Sequence, residues 1–452
     1  MFRKRNERAK DKSDKGGVVP EDDPPKITGL ILGEKGPAQT FEDYQCSGNL
    51  ETDFPELCAL LGMKQAPAVK AKHPNPETNA STLESLYEIQ SAPFDPKPHL
   101  QVELENEDPC SVKSIRISGW KMDKLTAQVL NKTLPSLSHL QSLYFWQAGL
   151  TDQMVICLKP LFSNLRYVLL EGNPLPEQSY HLLLSEDSNI NHLLLRNNQI
   201  SDEGVRLIGS ALSTTRSANS KLMYLNLAFN SIGDAGAEHI AQGLRLNRSL
   251  HFLSLSNNQI GDAGAAHLAK ILSPFALTHE EVVERRRLLL ERDQPPSLGV
   301  SAEQSSTHQL LTVSSSTSLS GNVSKRQSKG NFKKRHMILR CLKLVGSVEK
   351  SSPLLEPSVQ HKAGQIILQG NTILTSLNLA GNRITERSLP LFLSSLQMQT
   401  EGGGLLRLCL QRNHLSPDCE LYIEIQELMT CRDPLKKATA GQTNEERQGA
   451  QY

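Results

Sequence analysis

The sequence predicts an α/β solenoid, in which short parallel strands form a sheet on the concave face of an arc and helices cover its convex face. Two observations carry this prediction. One sequence motif, called the phrase below, occurs eight times. It has aliphatic residues at positions 1, 4 and 6, usually Asn at position 9 and a further aliphatic residue at position 11. The distance between copies is about the length of one strand and one helix, so neighbouring copies can stack side by side.

The eight copies are regularly spaced, apart from one long insertion. Their first aliphatic residues are Val112, Leu140, Leu165, Ile190, Leu222, Leu250, Leu374 and Leu405. The steps between them are 28, 25, 25, 32, 28, 124 and 31 residues. The spacing therefore predicts six copies over residues 110–273, and two copies with a C-terminal cap over residues 371–431.

Each position of the phrase has an expected role. Alternate strand residues face opposite sides, so positions 1, 4 and 6 should point into the core and positions 3, 5 and 7 toward the free face of the sheet. The Asn at position 9 should bond the backbone where the chain leaves the sheet, a structural role. It stands at Asn173, Asn198, Asn230, Asn258, Asn382 and Asn413. The first two copies place Trp120 and Ala148 there, which suits a cap at the end of the array.

Two copies continue after the Asn with nearly the same amino-acid sequence. Residues 233–241 and 261–269 both read Gly-Asp-Ala-Gly-Ala, any residue, His, an aliphatic residue and Ala. This continuation resembles the leucine-rich repeats of the ribonuclease-inhibitor class. The resemblance implies a full α-helix on the convex side of the repeat.

Segments outside the repeat phrase carry a second resemblance. They include residues 43–58, 101–108, 170–181, 284–291 and 425–429. Together they resemble a group of intracellular leucine-rich repeat proteins associated with motile cilia or sperm flagella. The resemblance covers most of residues 43–436, but it supplies no catalytic or binding residue.

The remaining segments differ in composition from the repeats. Residues 1–40 and 432–452 are expected to be flexible polar tails, the first of them basic. Residues 41–109 form an N-terminal segment with a short helix within 41–62, which we interpret either as a cap of the solenoid or as a docking peptide. The insertion at 274–370 is expected to begin with a helix over residues 279–292 and then to be disordered and basic.

The insertion contains a basic cluster around Lys325, Arg326, Lys333, Lys334 and Arg335. One interpretation is a contact for an acidic partner, such as an acidic protein tail, a nucleic acid or an import receptor. The other interpretation is that these charges only solvate a loop. Binding through the cluster should weaken steeply with salt, which would separate the two.

The free face of the predicted sheet is the more specific candidate surface. Position 3 reads Tyr167, His192, Tyr224 and Phe252 in four consecutive copies, and positions 5 and 7 of the second copy are Tyr144 and Trp146. The four position-3 side chains are expected to form a ladder that binds a helix or an extended protein segment. The alternative is that they only pack along the edge of the repeats.

Composition and motifs argue against other classes of function. The formal net charge is +1, so no overall field favours nucleic acid or an anionic membrane. The cysteines lack Cys-x-x-Cys spacing and are interpreted as reduced thiols. No apolar run reaches the roughly 18 residues of a membrane span. There is no Walker loop, Gly-x-Ser-x-Gly elbow or His-Glu-x-x-His site, so no cofactor, metal or small-molecule substrate is expected.

The sequence therefore predicts a non-enzymatic scaffold or adaptor with protein partners, axonemal proteins among them. We expect a cytoplasmic location, with the axoneme of motile cilia or sperm flagella as the setting. One alternative is a cytosolic inhibitor or regulatory module of the ribonuclease-inhibitor type. A more remote one is a GTPase-activating protein, because such proteins share this repeat class but carry a long acidic tail that this chain lacks.

Overall fold

The computed structural model describes residues 40–72, 97–161, 163–214, 219–293, 352–357, 359–399 and 403–432. The chain divides into two compact units, Met1–Tyr44 and Gln45–Tyr452. In the described part of the first unit, residues 41–43 form a turn in which the Thr40 hydroxyl donates to the Asp43 carboxylate. The fold and the candidate sites below belong to the second unit.

Ten strands of the second unit form one sheet in the order β1-β2-β3-β4-β5-β6-β7-β8-β12-β13. Their bounds are β1 Ala68–Lys72, β2 His99–Leu104, β3 Val112–Ser118, β4 Ser142–Trp146, β5 Tyr167–Glu171, β6 His192–Leu194, β7 Tyr224–Asn226, β8 Phe252–Ser254, β12 Ser376–Asn378 and β13 Arg407–Cys409. In this sheet each strand from β3 to β13 belongs to one copy of the phrase and pairs in parallel with the strand of the next copy. The predicted solenoid is confirmed.

The register of the sheet follows the repeat phrase. Position 3 pairs with position 3 at every step, as in Tyr167 with His192 and Tyr224 with Phe252. The same register carries the sheet past the long insertion, because Phe252 of β8 pairs directly with Ser376 of β12. The insertion therefore leaves the repeat array through the loop after one copy and returns without interrupting the sheet.

Aliphatic residues of the phrase form the core between the sheet and the helices. Leu222, Leu225 and Leu227 are completely buried, and their counterparts in the next copy are as well. The Asn at position 9 links neighbouring copies: Asn230 accepts from the backbone N–H groups of Asn198 and Ile200 in the preceding copy. It donates to the carbonyl groups of Leu195 in that copy and of Leu227 in its own. These bonds satisfy backbone groups that would otherwise be buried without partners, and they confirm the structural role predicted for this Asn.

Nine α-helices are described. Their bounds are α1 Leu50–Leu60, α2 Lys124–Thr133, α3 Asp152–Leu158, α4 Asp202–Leu212, α5 Asp234–Leu246, α6 Asp262–Lys270, α7 His279–Asp293, α8 Leu389–Gln397 and α9 Glu420–Arg432. Helices α2 to α6, α8 and α9 follow the strands of their copies. The copy containing β5 differs, because a six-residue 3₁₀ helix, Ser179–Leu184, stands in the place of an α-helix. Prolines at 174 and 176 distinguish this copy and disfavour an α-helix directly after its Asn.

The N-terminal edge of the sheet contains two strands that the sequence analysis did not predict. Strand β2 pairs antiparallel with β3, and β1 pairs parallel with β2. Trp120, at the Asn position of the first copy, donates its indole N–H to the carbonyl of His99 on β2. Helix α1 packs against α2, and it buries Phe54 and Leu57 completely. These elements cover the first repeat and its strand edge.

The insertion requires a correction where it is described. The expected helix is present as α7, but the prediction of disorder after it is wrong for residues 352–357 and 359–370. Strands β9 Phe275–Ala276, β10 Gln360–Lys362 and β11 Gln365–Leu368 form a three-stranded antiparallel sheet. Leu354 and Leu368 are completely buried against Leu246 of the repeat helix α5. This burial, which joins residues far apart in the chain, orders both ends of the insertion.

Ion pairs attach the ends of the insertion to the repeats. Arg245 contacts the carboxylate of Glu281 at 2.8 Å, and its guanidinium lies 4.1 Å from the ring centroid of Phe275. Arg248 pairs with Glu356 at 3.1 Å and also donates to the carbonyl of Gln369. Burial lowers the pKa of Arg248 even beside this carboxylate. Residues 294–351, including Lys325, Arg326, Lys333, Lys334 and Arg335, lie outside the described residues.

Candidate protein-binding face

The four predicted ladder residues are stacked on the face of the sheet opposite the helices. The ring centroids of Tyr167 and His192 are 4.7 Å apart, those of His192 and Tyr224 are 5.5 Å apart, and those of Tyr224 and Phe252 are 4.0 Å apart. The last pair is parallel, with an interplanar angle of 1°. The stacking follows from the register. Parallel pairing places equal phrase positions side by side, at about the 4.8 Å that separates neighbouring strands. We call these four residues the aromatic ladder.

A second row of side chains stands beside the aromatic ladder at phrase position 5. Tyr144, Leu169 and Leu194 pack together, with Tyr224 against them, and all three are at most 9% exposed. Tyr144 was expected to be an exposed binding residue, and the structure instead places it in this nearly buried row. Burial raises the pKa of its hydroxyl. The ladder and the second row together form one continuous apolar surface.

Exposed side chains border this surface where the strands end. Trp146 is 46% exposed, as predicted for a residue facing solvent. Phe229 is 47% exposed, and the guanidinium of Arg196 lies 5.2 Å from its ring centroid. Met223 is 42% exposed. Large exposed aromatic and thioether side chains around a buried apolar row are typical of protein-binding surfaces.

Phe229 also has an unusual backbone conformation. Its φ of 58° lies in the left-handed region, which a bulky residue rarely adopts. The same phrase position, 8, has positive φ in every copy and is otherwise occupied by small, polar or charged residues: Gly119, Gln147, Gly172, Asn197, Asn257, Gly381 and Arg412. An aromatic ring at this position is thus retained against a local conformational cost, which is a pattern associated with functional sites.

This face carries charges of both signs, and Glu103 accepts from the hydroxyl of Ser114 at phrase position 3. Arg116 lies with its guanidinium 5.1 Å from the ring centroid of Tyr144, and burial lowers its pKa. Arg196 lies 4.0 Å from the carboxylate of Glu171, whose pKa is raised by burial. Burial also lowers the pKa of His192 within the ladder. A ligand with apolar side chains and with charged groups of both signs would match the ladder and the arginines and glutamates beside it.

The described residues contain no group of His, Cys, Asp and Glu side chains arranged to hold a metal ion. Within the same ranges, no helix is long and apolar enough to cross a membrane. His239 and His267, which share one position in two copies, do not meet each other in such a group; His267 lies 3.9 Å from Glu238 instead.

Comparison with protein-family models identifies the repeats. A model described as a leucine-rich repeat matches residues 187–209, 218–241, 246–269 and 370–387. The chain contains leucine-rich repeats. Three of the four matches cover the strands β6, β7 and β8 that carry His192, Tyr224 and Phe252, and the fourth resumes after the insertion at β12. Leucine-rich repeats are protein-interaction modules, which agrees with the surface described above.

Strand alternation predicted part of this leucine-rich repeat face, namely Tyr144, Trp146 and the ladder. Phe229, Met223, Arg116 and Arg196 were not predicted. Phe229 could have been noticed, because an aromatic residue there departs from the Gly and Asn of neighbouring copies. The two arginines could have been noticed from their positions 5 and 7 in the phrase.

Proposed function

We propose that this leucine-rich repeat protein is a non-enzymatic scaffold that binds a segment of another protein along the aromatic ladder. The single observation that carries the proposal is the unbroken stack from Tyr167 to Phe252. A stack of this kind is rigid before binding, so little side-chain entropy is lost when a ligand covers it. The apolar second row and the exposed Trp146 and Phe229 extend the same surface.

We further propose that the setting is the axoneme of motile cilia or sperm flagella. The support is the resemblance of segments outside the repeat phrase, such as residues 43–58 and 170–181, to leucine-rich repeat-containing protein 71. Within that setting, a rigid repeat array with one apolar face suits an assembly component that holds another protein in place. The insertion, with its basic residues, is a second candidate contact.

The alternative function is a soluble regulatory or inhibitory module of the ribonuclease-inhibitor type. The closely similar sequences of residues 233–241 and 261–269, which differ at two positions, favour this class. The 3₁₀ helix in the third copy is a difference from this class, whose repeats carry a full α-helix on the convex side. GTPase activation is the least favoured of the three functions. Stimulated phosphate release by a small GTPase in the presence of this protein would support it.

Paired substitutions in the ladder test the binding surface. The variant Tyr224→Ala with Phe252→Ala should lose protein neighbours in proximity labelling from multiciliated or spermatogenic cells. A matched control is Leu391→Ala, which removes an apolar side chain that is 40% exposed on α8 and away from the ladder. An unchanged neighbour profile for the double variant, at an unchanged urea midpoint of unfolding, would contradict ladder binding.

Extraction of axonemes tests the setting separately. A protein built into a repeating axonemal lattice should remain in the pellet after detergent and moderate salt, together with its labelled neighbours. A soluble regulator should be released by detergent alone. Complete release with purely cytosolic neighbours would favour the regulatory module and would leave the ladder as its binding surface.

A further inference from the structure

The free face of the sheet changes character along the array. The second, third and fourth copies present the bulky apolar side chains of the second row at position 5. The fifth, sixth and seventh copies instead carry small residues at positions 5 and 7, namely Asn226, Ser254, Asn378, Ala228, Ser256 and Ala380. The rings of Tyr224 and Phe252 stand beside these small residues at position 3 and are half-buried. The small residues therefore form the floor of a trough, and the aromatic ladder forms one of its walls.

Two asparagines in the floor of the trough offer unused hydrogen-bond donors. The side-chain oxygen of Asn226 accepts from the backbone N–H of Ala228, and that of Asn378 accepts from the N–H of Ala380, both at 3.0 Å. These bonds fix the orientation of each amide and leave its nitrogen for a ligand. Neither nitrogen has a hydrogen-bond partner among the described residues, and neither is closed off from solvent. An acceptor lying in the trough could therefore bond to both.

The spacing of the two donors selects a backbone conformation. Strand β8 alone separates β7 from β12, so Asn226 and Asn378 lie two strand spacings apart, about 9.6 Å. A polyproline II helix repeats every three residues, about 9.3 Å, and its carbonyl groups have no partner within the helix. An extended strand repeats at about 6.7 Å, and an α-helix uses its backbone carbonyl groups internally. Among these three conformations, polyproline II alone matches both donors.

The side chains around the trough favour the same kind of ligand. Aromatic side chains along a groove, such as Tyr224 and Phe252, are the usual contacts of prolines in this conformation. The last four copies have no acidic residue at free-face positions 3, 5, 7 or 8, and the eighth copy has the exposed Arg407 and Arg412 there. Glu171 of the same face belongs to the third copy. Charge complementarity thus favours an acidic residue where a ligand passes the eighth copy.

We propose that the ligand of this trough is a proline-rich segment of another protein in the polyproline II conformation, followed by acidic residues at the end near the eighth copy. Carbonyl groups one turn apart accept from Asn226 and Asn378, and the prolines between them pack against Tyr224 and Phe252. A polyproline II segment is largely preformed, so its ordering on binding loses little entropy. This inference rests on the proposed function, because it names the kind of segment that the aromatic ladder binds.

Fluorescence anisotropy of a labelled decaproline peptide with the full chain tests the proposal. The variant Asn226→Asp with Asn378→Asp keeps the oxygens that accept from the backbone and replaces both donors with acceptor oxygens. The dissociation constant for decaproline should rise at least about tenfold. The matched control is Asn131→Asp with Asn164→Asp, which adds the same charge at two exposed positions outside the trough. This control should bind decaproline like the unaltered protein.

Acidic flanks on the peptide give a second readout that does not depend on the asparagine variants. Decaproline with two aspartates at one end should bind more tightly than decaproline alone, by about threefold, when the aspartates stand at the end that reaches the eighth copy. Peptides with the aspartates at either end cover both orientations. Arg412→Gln, at an exposed position, should remove the gain. Equal binding of all three peptides would contradict the acidic flank.

Two results would overturn the inference as a whole. One is the absence of decaproline binding by the full chain, whether the trough prefers another ligand or is occupied by another part of the chain. The other is equal decaproline affinity of the two paired Asn→Asp variants. Both can occur while Tyr224→Ala with Phe252→Ala still loses its labelled neighbours. Binding along the ladder would then stand, with a ligand of another conformation.

Discussion

The carboxylate of Asp234 on helix α5 accepts a hydrogen bond from the backbone nitrogen of Gly264 on helix α6, at 2.9 Å. The same oxygen accepts from the N–H of Gly261 at 2.7 Å. Gly261 is the N-cap residue of α6 and has no side chain with which to cap it, so the cap comes from the preceding repeat. Asp202 does the same for α5, and Asp262 bonds Thr385 across the insertion.

Removing the Asp234 carboxylate should therefore weaken two repeats at once. Asp234→Ala is expected to lower the free energy of unfolding by about 2 kcal/mol, since two helix N-terminal amides lose a charged acceptor. Asp234→Asn keeps an acceptor without the charge and should cost about half as much. Urea unfolding measures both, with the exposed Asp187→Ala as control. Equal midpoints for Asp234→Ala and Asp187→Ala would exclude capping between repeats.

Close packing of α4 against α5 leads to a second prediction, which concerns the stability of a variant at Gly243. An added Cβ at Gly243 would overlap the backbone carbonyl oxygen of Gly209 on the neighbouring helix. Gly243→Ala should therefore destabilise the protein by about 2 kcal/mol, although the same change in an exposed helix would stabilise it by about 1 kcal/mol.

The control for this prediction is Ser210→Ala, at an exposed position of α4. It should leave the stability unchanged or raise it slightly, because alanine is the better helix former. The measurement is the urea midpoint of each variant. A rise in stability for Gly243→Ala would show that the two helices can separate without loss.

His192 should make stability depend on pH. Burial between Tyr167 and Tyr224 lowers its pKa, so the folded protein binds this proton less readily than the unfolded chain does. The contribution of the neutral imidazole to stability is complete above the unfolded pKa of about 6.5 and is lost as the pH falls through that value toward the lower folded pKa. Acidification should thus weaken the fold at the ladder.

His192→Phe keeps a ring in the stack and removes the titrating group. The loss of unfolding free energy between about pH 7 and pH 5 should be smaller in this variant than in the unaltered protein. Phe252→Leu changes the same ladder without removing a titrating group and should keep the original pH slope. The same slope in His192→Phe would show that His192 does not contribute to the acid sensitivity.

The aromatic side chain of Phe229 should lower the stability of the fold and strengthen binding of a protein partner. Its left-handed backbone costs a bulky residue about 1 kcal/mol more than it costs asparagine, and Asn197 and Asn257 hold the equivalent positions with φ of 55° and 54°. Phe229→Asn should therefore raise the free energy of unfolding by about 0.5 kcal/mol, after loss of the contact with Arg196. The same variant should label fewer protein neighbours. A clear loss of stability would mean that the ring has a structural role.

Several features could be predicted from the sequence because they repeat within it. The phrase fixes which residues are buried, and parallel pairing in register follows from stacking identical units, so the stack of Tyr167, His192, Tyr224 and Phe252 needed no further information. The bonding of Asn230 and its counterparts was predictable for the same reason. In each case the partner of a residue stands at a known position in the next copy.

Other features depend on contacts that no periodic pattern encodes. Nothing in residues 68–72 and 99–104 marks them as a covering strand pair until they lie at the edge of β3. Residues 352–357 and 359–370 belong by composition to a polar insertion, and they fold because Leu354 and Leu368 reach Leu246 across more than a hundred residues of chain. The near burial of Tyr144 depends on side chains from two other copies.

The sequence by itself determined the leucine-rich repeat architecture, the number of copies and the face on which the aromatic residues stand, because these follow from local periodicity and from the alternation of strand side chains. The tertiary structure alone decided how the array ends, which helix caps come from a neighbouring repeat, and where an apolar row is buried or left open. Those properties arise from burial and hydrogen bonding between residues distant in the chain, which become neighbours when the copies stack.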